Sequence, residues 1–266
     1  MTLTGFIDDA YKGKVRKKKR LEKRSGNFVL GFEDFTNRLE KRPTRIEVEK
    51  LAPFEAKVLT NLINSASPQD KREQKIWGYL TGLAAERSSE PLTLSAGDFA
   101  GMGLKQGVLV LKGEARHHMG EKMEGGKILV TGNAGSHLGQ DMKGGGIKIA
   151  GTCGDYAFRN MVGGWAIIKG NAGNYLGVGN SGGRILVKGN AGSRTGWLMK
   201  RGRIRVNGAV KDYLGLIMSG GTISIGKTAG TRAGWRMKGG AIQASDYGPE
   251  VGVEKVGGKV LRRKVD

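Results

Sequence analysis

GGKILVTGNAGSHLGQDMKGGGIKIAG, residues 125–151, opens on a glycine pair, runs through an alternating apolar stretch and meets a second pair nineteen residues on. Glycine loses more backbone entropy on folding than any other residue, so glycines at this density need a structural reason. The reason is a repeat. Pairs stand at Gly125-Gly126, Gly144-Gly145, Gly163-Gly164, Gly182-Gly183, Gly220-Gly221 and Gly239-Gly240, in steps of 19 with one gap. Arg201-Gly202 fills that gap in register, and Gln106-Gly107 is a half-strength copy upstream. A fixed period near twenty residues marks a solenoid.

Other columns hold the same phase. Methionine precedes the pair by two at Met123, Met142, Met161, Met199, Met218 and Met237, with Asn180 as the exception. A small apolar residue recurs at Ala115, Ala134, Cys153, Ala172, Ala191, Val210 and Ala229. After each pair come alternating aliphatics: Ile128/Val130, Ile147/Ile149, Ile185/Val187, Ile204/Val206, Ile223/Ile225. Alternation with period two is the strand signal. The residues beside and between them, Lys148, Arg184, Lys188, Arg203 and Arg205, are expected to face water. The unit holds no amphipathic helical run. It therefore predicts a mainly β chain: a right-handed parallel β-helix of 19-residue coils over residues 100–246. About seven or eight coils at ~4.8 Å each make a rod roughly 35 Å long. The paired glycines are expected to supply positive φ at corners and to let coils approach. Asn133, Asn171 and Asn190 share a column and predict an asparagine ladder.

The unit GG-x-I-x-V-x-G-N-A-G-x-x-x-G-x-x-M resembles the GXGXG family. That family includes the C-terminal domain of the large subunit of glutamate synthase and the C-type subunit of formylmethanofuran dehydrogenase. The run GNAGSHLGQDMKGG, followed by GDY, looks closest to the formylmethanofuran dehydrogenase branch. The resemblance implies a β-helix without catalytic residues of its own, one that braces or joins the catalytic parts of a larger enzyme. Pterin, metal and formyl-transfer chemistry would then sit in those partner chains, with no cofactor in this chain.

Upstream lies a different composition. Residues 11–24, YKGKVRKKKRLEKR, carry nine Lys/Arg and one Glu, and residues 1–26 read as a basic arm with Lys17, Lys18, Lys19 and Arg20 at its centre. Residues 27–95 read as a small helical module that caps the solenoid's first coil, whose open edge would otherwise invite aggregation. Pro53 is expected to open a helix with Phe54, Val58 and Leu62 on one face. Ser67-Pro68-Gln69-Asp70 reads as an N-cap with proline at the first helical position. The helix after it should bury Ile76, Tyr79, Leu80 and Leu83, and residues 86–91, ERSSEP, should be a linker. Residues 247–266 are a C-terminal cap or tail.

Several functions find little support in the residues. Gly177-Val178-Gly179-Asn180-Ser181-Gly182 matches G-x-G-x-x-G but lacks the strand–turn–helix context that binds dinucleotides. Cys153 stands in the small-residue column and reads as packing. His118 and His137 lie one coil apart, without the further ligands a metal would want. From Arg159 to Lys238 there is one acid, Asp212, against fourteen Lys/Arg, which leaves no carboxylate pair for hydrolysis. A lone cysteine and the lack of an apolar run of about eighteen residues predict a cytoplasmic chain without a membrane span.

The charge points to partners instead. The chain carries 45 Lys/Arg against 24 Asp/Glu, a net charge of +21. One column reads His118, His137, Tyr156, Tyr175, Arg194, Tyr213, Arg232, with Trp197 and Trp235 in a neighbouring column. Lys169, Arg184, Lys188, Arg201, Arg203 and Arg205 add a basic strand face. Three readings follow: an acidic surface on catalytic partner subunits, nucleic acid bound through phosphate contacts and base stacking, or ladders and lysines that only stabilise and solubilise the rod.

Overall fold

Alternating apolar residues fix the strands, and the period fixes how they stack. A computed structural model describes residues 31–263; the arm with Lys17, Lys18, Lys19 and Arg20 lies outside them. Ten strands form one parallel sheet in chain order: β1 (Leu92–Ser95), β2 (Val108–Lys112), β3 (Lys127–Val130), β4 (Gly146–Ile149), β5 (Trp165–Ile168), β6 (Ser181–Val187), β7 (Arg201–Val206), β8 (Thr222–Ile225), β10 (Ala241–Ala244) and β12 (Lys259–Arg262). The short strands β9 (Thr228–Ala229) and β11 (Asp246–Tyr247) pair separately. The chain is a parallel β-solenoid. It is longer than the repeat columns alone indicate, because β1 and β12 add a coil at each end of residues 100–246.

Register follows the 19-residue step. Ile128 pairs with Ile147, Ile147 with Ala166 and Ala166 with Ile185. These residues, the methionine column and the small-residue column are all buried. The small column is itself a line of parallel bridges from Ala115 through Cys153 to Ala229. The asparagine ladder forms by side chain to backbone: Asn171 Oδ1 accepts from Asn190 N at 2.8 Å, and Asn190 Oδ1 from Ala209 N at 2.8 Å. Asn133 does the same for Thr152 N at 2.9 Å.

The glycine pairs divide their work. The second member has φ of +65° at Gly126, +80° at Gly145, +81° at Gly164, +85° at Gly221 and +87° at Gly240. The first members, Gly125, Gly144, Gly163, Gly182, Gly220 and Gly239, are not left-handed; a Cβ there would collide with a carbonyl oxygen of the preceding coil. Gly183 departs from the expected corner: it lacks positive φ, and its would-be Cβ falls on the Met161 side chain. The cause is Asn180, whose Oδ1 accepts from Gly182 N at 3.2 Å and Gly183 N at 2.9 Å and reshapes that corner.

Among the described residues the N-terminal module has four helices: α1 (Phe32–Thr36), α2 (Arg45–Leu51), α3 (Ala56–Asn64) and α4 (Lys71–Arg87). Three expectations are corrected. Pro53 does not start α3, and Phe54 is 82 % exposed; Leu59, Leu62 and Ile63 form the buried face, with Val58 at its margin. Phe54 lies instead beside the Arg87 guanidinium, which donates to Pro53 O. Asp70, not Ser67, caps α4 by accepting from Glu73 N at 2.8 Å, since it directly precedes Lys71, the first helical residue. Residues 86 and 87 belong to α4 rather than to a linker, because Glu86 is held by Arg45 Nη2 at 2.7 Å and by Lys105 N at 2.7 Å.

α4 buries Ile76, Tyr79, Leu80 and Leu83 and seals the first coil. Inside the rod, Gly120 N donates to Ala100 O and Gly139 N to Met119 O, each in the preceding coil. For Gly101 there is no preceding coil, and its N–H donates to Thr81 Oγ1 on α4 at 2.9 Å. Gly78 and Gly82 let the helix approach the backbone at Phe99 and Met102. The other end stops differently. The last coil puts Arg262 beside Ala244 and Lys255 in the position of Met237, so cations stand where earlier coils bury apolar groups. The same coil leaves Val251, Val253, Val256 and Leu261 exposed, so its outer edge mixes cations with uncovered aliphatics.

Candidate docking surfaces

Two outward surfaces gather the residues singled out by sequence. The first is a ladder along one corner. Phe99, His118, His137, Tyr156, Tyr175, Arg194, Tyr213, Arg232 and Glu250 all adopt φ between +56° and +61°. Non-glycine residues rarely do so. The repetition of this conformation aims the side chains in one direction, one coil apart. The Phe99 and His118 ring centres are 4.6 Å apart, His118 and His137 4.7 Å, His137 and Tyr156 5.2 Å, and Tyr156 and Tyr175 4.4 Å. Arg194 then lies between Tyr175 at 5.3 Å and Tyr213 at 5.2 Å. Arg232 donates to Tyr213 Oη at 2.7 Å and is ion-paired with Glu250.

The ladder is therefore closed on itself. Each interior ring has a neighbour on both faces, so a nucleobase finds no free face from His118 to Tyr213. Arg194 and Arg232 hold rings and carboxylate rather than standing free for phosphate. Trp197 and Trp235 lean against the same ladder, 5.9 Å from Tyr175 and 5.6 Å from Tyr213. Sequence spacing brought these residues into one column; it could not show that their faces would be used up.

The second surface is the outward face of the sheet. Alternation turns Lys148, Arg184, Arg203 and Arg205 outward, with Lys169 and Lys188 just beyond their strands, and all six are exposed. Arg184 pairs in register with Arg203, and Leu186 with Arg205. Trp165, Ile167 and Leu186 share this face and are half-buried. Across β3–β8 the outward positions hold no acid. The longest strands lie here, seven residues in β6 and six in β7, with a register shift between Ser181 and Arg184 after Asn180.

The chain matches no family model and no curated protein.

The other sequence candidates are placed as follows. The G-x-G-x-x-G run is a solenoid corner, and Asn180 within it is fully buried in hydrogen bonds to Gly182 and Gly183. Cys153 is buried, and desolvation pushes its thiol up to about 12, out of the range of a nucleophile at neutral pH. Among the described residues no group of three or more His, Cys, Asp or Glu is placed to hold a metal ion. His118 Nδ1 instead lies 3.0 Å from Glu121 Oε2, a carboxylate that is 6 % exposed. No described helix is long and apolar enough to cross a membrane.

Sequence reasoning missed the residues that tie the cap to the rod. Arg45 Nη1 donates to Gly103 O at 2.5 Å while its Nη2 holds Glu86. These are single contacts between segments far apart in sequence, and no periodicity announces them.

Proposed function

We propose that this chain is a non-catalytic scaffold subunit of a larger enzyme complex, similar in role to the C-type subunit of formylmethanofuran dehydrogenase. The observation that carries the reading is the use of the side chains. Inward columns are filled by apolar residues, corner amides and carboxylates hold the next coil, and one outward sheet face gathers six exposed cations with no acid among its strand positions. A stiff rod with one strongly cationic face suits the positioning of other subunits. The catalytic groups, and any pterin, metal or flavin, would belong to those subunits, in a cytoplasmic assembly. A separately encoded subunit of the glutamate synthase type is the variant reading on the same mechanics, with amidotransferase and flavin-bearing parts as the partners. The residues that carry the resemblance are those of the repeat unit alone.

The rival is a nucleic-acid-binding rod, favoured by the +21 net charge. Purification of the tagged full-length chain from native lysate at low salt, with and without nuclease, separates the two. The scaffold reading expects stoichiometric subunits of redox or formyl-transfer type that survive nuclease. Partners lost on nuclease treatment would overturn it in favour of nucleic acid.

A further inference from the structure

We propose that the outward sheet face over β4–β7 is a docking site for an acidic protein surface with an apolar centre. The inference deepens the scaffold reading and rests on it only in taking the partner to be a protein.

Four observations converge on this face. Its charge has one sign: Lys148, Lys169, Arg184, Lys188, Arg203 and Arg205 surround it, and no acid occupies an outward strand position from β3 to β8. Within the described residues these cations also lack acidic partners. Among the described residues none of the six forms an ion pair, whereas Lys143 meets Glu124 at 3.0 Å, Arg236 meets Glu254 at 2.6 Å and Arg262 meets Asp246 at 2.8 Å elsewhere on the rod. Arg184 and Arg203 even stand side by side in adjacent strands. Like charges directly opposite each other are destabilising. A face that only solubilised the rod would gain by mixing signs.

The centre of the face is apolar. Trp165, Ile167 and Leu186 point outward, and Trp165 lies across Gly146, where any Cβ would fall within the indole. Gly146 opens β4, and its missing side chain makes room for the outward tryptophan. A tryptophan beside aliphatics, ringed by charges, is the composition of an interface centre with a polar rim. Finally, the repeat breaks here. Asn180 replaces the methionine of its column, β6 lengthens, and Arg201 comes opposite Ser181, extending the cationic row. Departures from a locally consistent pattern are expected where function competes with folding.

An acidic protein fits better than nucleic acid. Phosphates would use the cations but not the apolar centre, and the aromatic ladder offers no open ring face for stacking. The test is fluorescence anisotropy on the full chain with three labelled probes: a short acidic peptide interspersed with leucine and phenylalanine, a peptide of equal charge with serine in their place, and a single-stranded oligouridylate. The apolar acidic peptide is expected to bind about tenfold tighter than its serine counterpart. Trp165→Ser, and separately Leu186→Ser, should erase that preference. The Arg203→Glu/Arg205→Glu pair should weaken peptide binding by about tenfold or more. Thermal melting of each variant checks that the rod is intact; Arg203 and Arg205 are exposed, so their reversal is a clean probe even if Trp165→Ser loosens the sheet. Equal binding of the two peptides, or tighter oligouridylate binding that ignores Trp165 and Leu186, overturns the proposal. If native purification returns nuclease-resistant subunits while the peptide preference is absent, the scaffold reading stands and this face is wrong. If the peptide preference is present and the native partners vanish with nuclease, the face stands and the scaffold reading fails.

Discussion

Thr81 does the work of a missing coil with one hydroxyl. Its Oγ1 donates to Gly78 O at 2.7 Å and accepts from Gly101 N at 2.9 Å, and the residue is fully buried. Thr81→Val keeps the shape and leaves Gly101 N–H unsatisfied. A buried donor without a partner costs about 1–3 kcal/mol. Urea unfolding is expected to show a loss of that size; an unchanged midpoint would mean that the cap does not need this bond. Gly164 is a harsher case. Its φ is +81°, and an added Cβ would lie 2.5 Å from Gly145 O and 2.8 Å from Met142 Cε. Gly164→Val combines a disfavoured backbone with a collision, so the rod should lose its cooperative melting transition. A variant that melted like the parent would refute the coil register. At this scale the sequence was readable where residues repeat. Gly164 announced itself through six equivalent pairs, whereas Thr81 and Arg45 are solitary residues whose partners lie about twenty and about sixty positions away in sequence. Asn180 was visible as an exception, but its effect on Gly183 needed the hydrogen bonds to be seen.

Between coils, one departure from the repeat is answered by another. Phe158 stands in a column otherwise made of glycine, from Gly101 through Gly139 and Gly177 to Gly234, and it keeps the left-handed φ of +57°. Its ring is fully buried and covers Gly139, 2.6 Å from where a Cβ would be. In the neighbouring coils the equivalent space over the glycine is taken by an isoleucine: Ile147 over Gly120, Ile204 over Gly177. The residue that would do this for Gly139 is Ala166, which pairs between Ile147 and Ile185. The phenyl ring therefore fills the volume that a short side chain leaves. Phe158→Gly alone should open a cavity and destabilise by about 3–5 kcal/mol, the range for removing a buried aromatic. Ala166→Ile alone should overpack against the ring, at about 1–3 kcal/mol. The double variant restores the regular pattern and should be more stable than either single one, which denaturant titration of the four proteins would reveal as strong coupling. Simple additivity would refute the exchange. Period and strand pattern were legible because seven units in one phase, from Gly125-Gly126 to Gly239-Gly240, average out local noise. The start at Lys71 was misplaced because it rests on a single local capping choice, Asp70 over Ser67, and the start at Ala56 because Glu55 before it makes no side-chain cap that a sequence signal could mark.

Across the whole molecule the two ends of the rod are unlike, and the N-terminal junction is where acid should act. There the His118 ring stacks between Phe99 and His137, beside the buried Glu121 and within reach of Lys71 from α4. Burial holds the imidazole below its ordinary range; Glu121 pulls it up, and His137 and Lys71 push it down. The net direction is down. A depressed folded-state value means that the stability from neutral His118 is complete above the unfolded value of about 6.5. That stability is lost as pH falls through the lower folded value. General charge repulsion in so basic a chain also grows on acidification, and it would be shared by any variant. His118→Asn separates the two effects. Asparagine tolerates the left-handed backbone, does not titrate, and leaves His137 and Glu121 in place. The variant should start with a lower Tm because the stack is interrupted, yet its Tm should fall less than the parent's between about pH 7.5 and pH 5, the interval that brackets the histidine's ordinary value. Parallel falls in the two proteins would assign the acid response to the net charge of the rod and leave the His118 junction without a part in it.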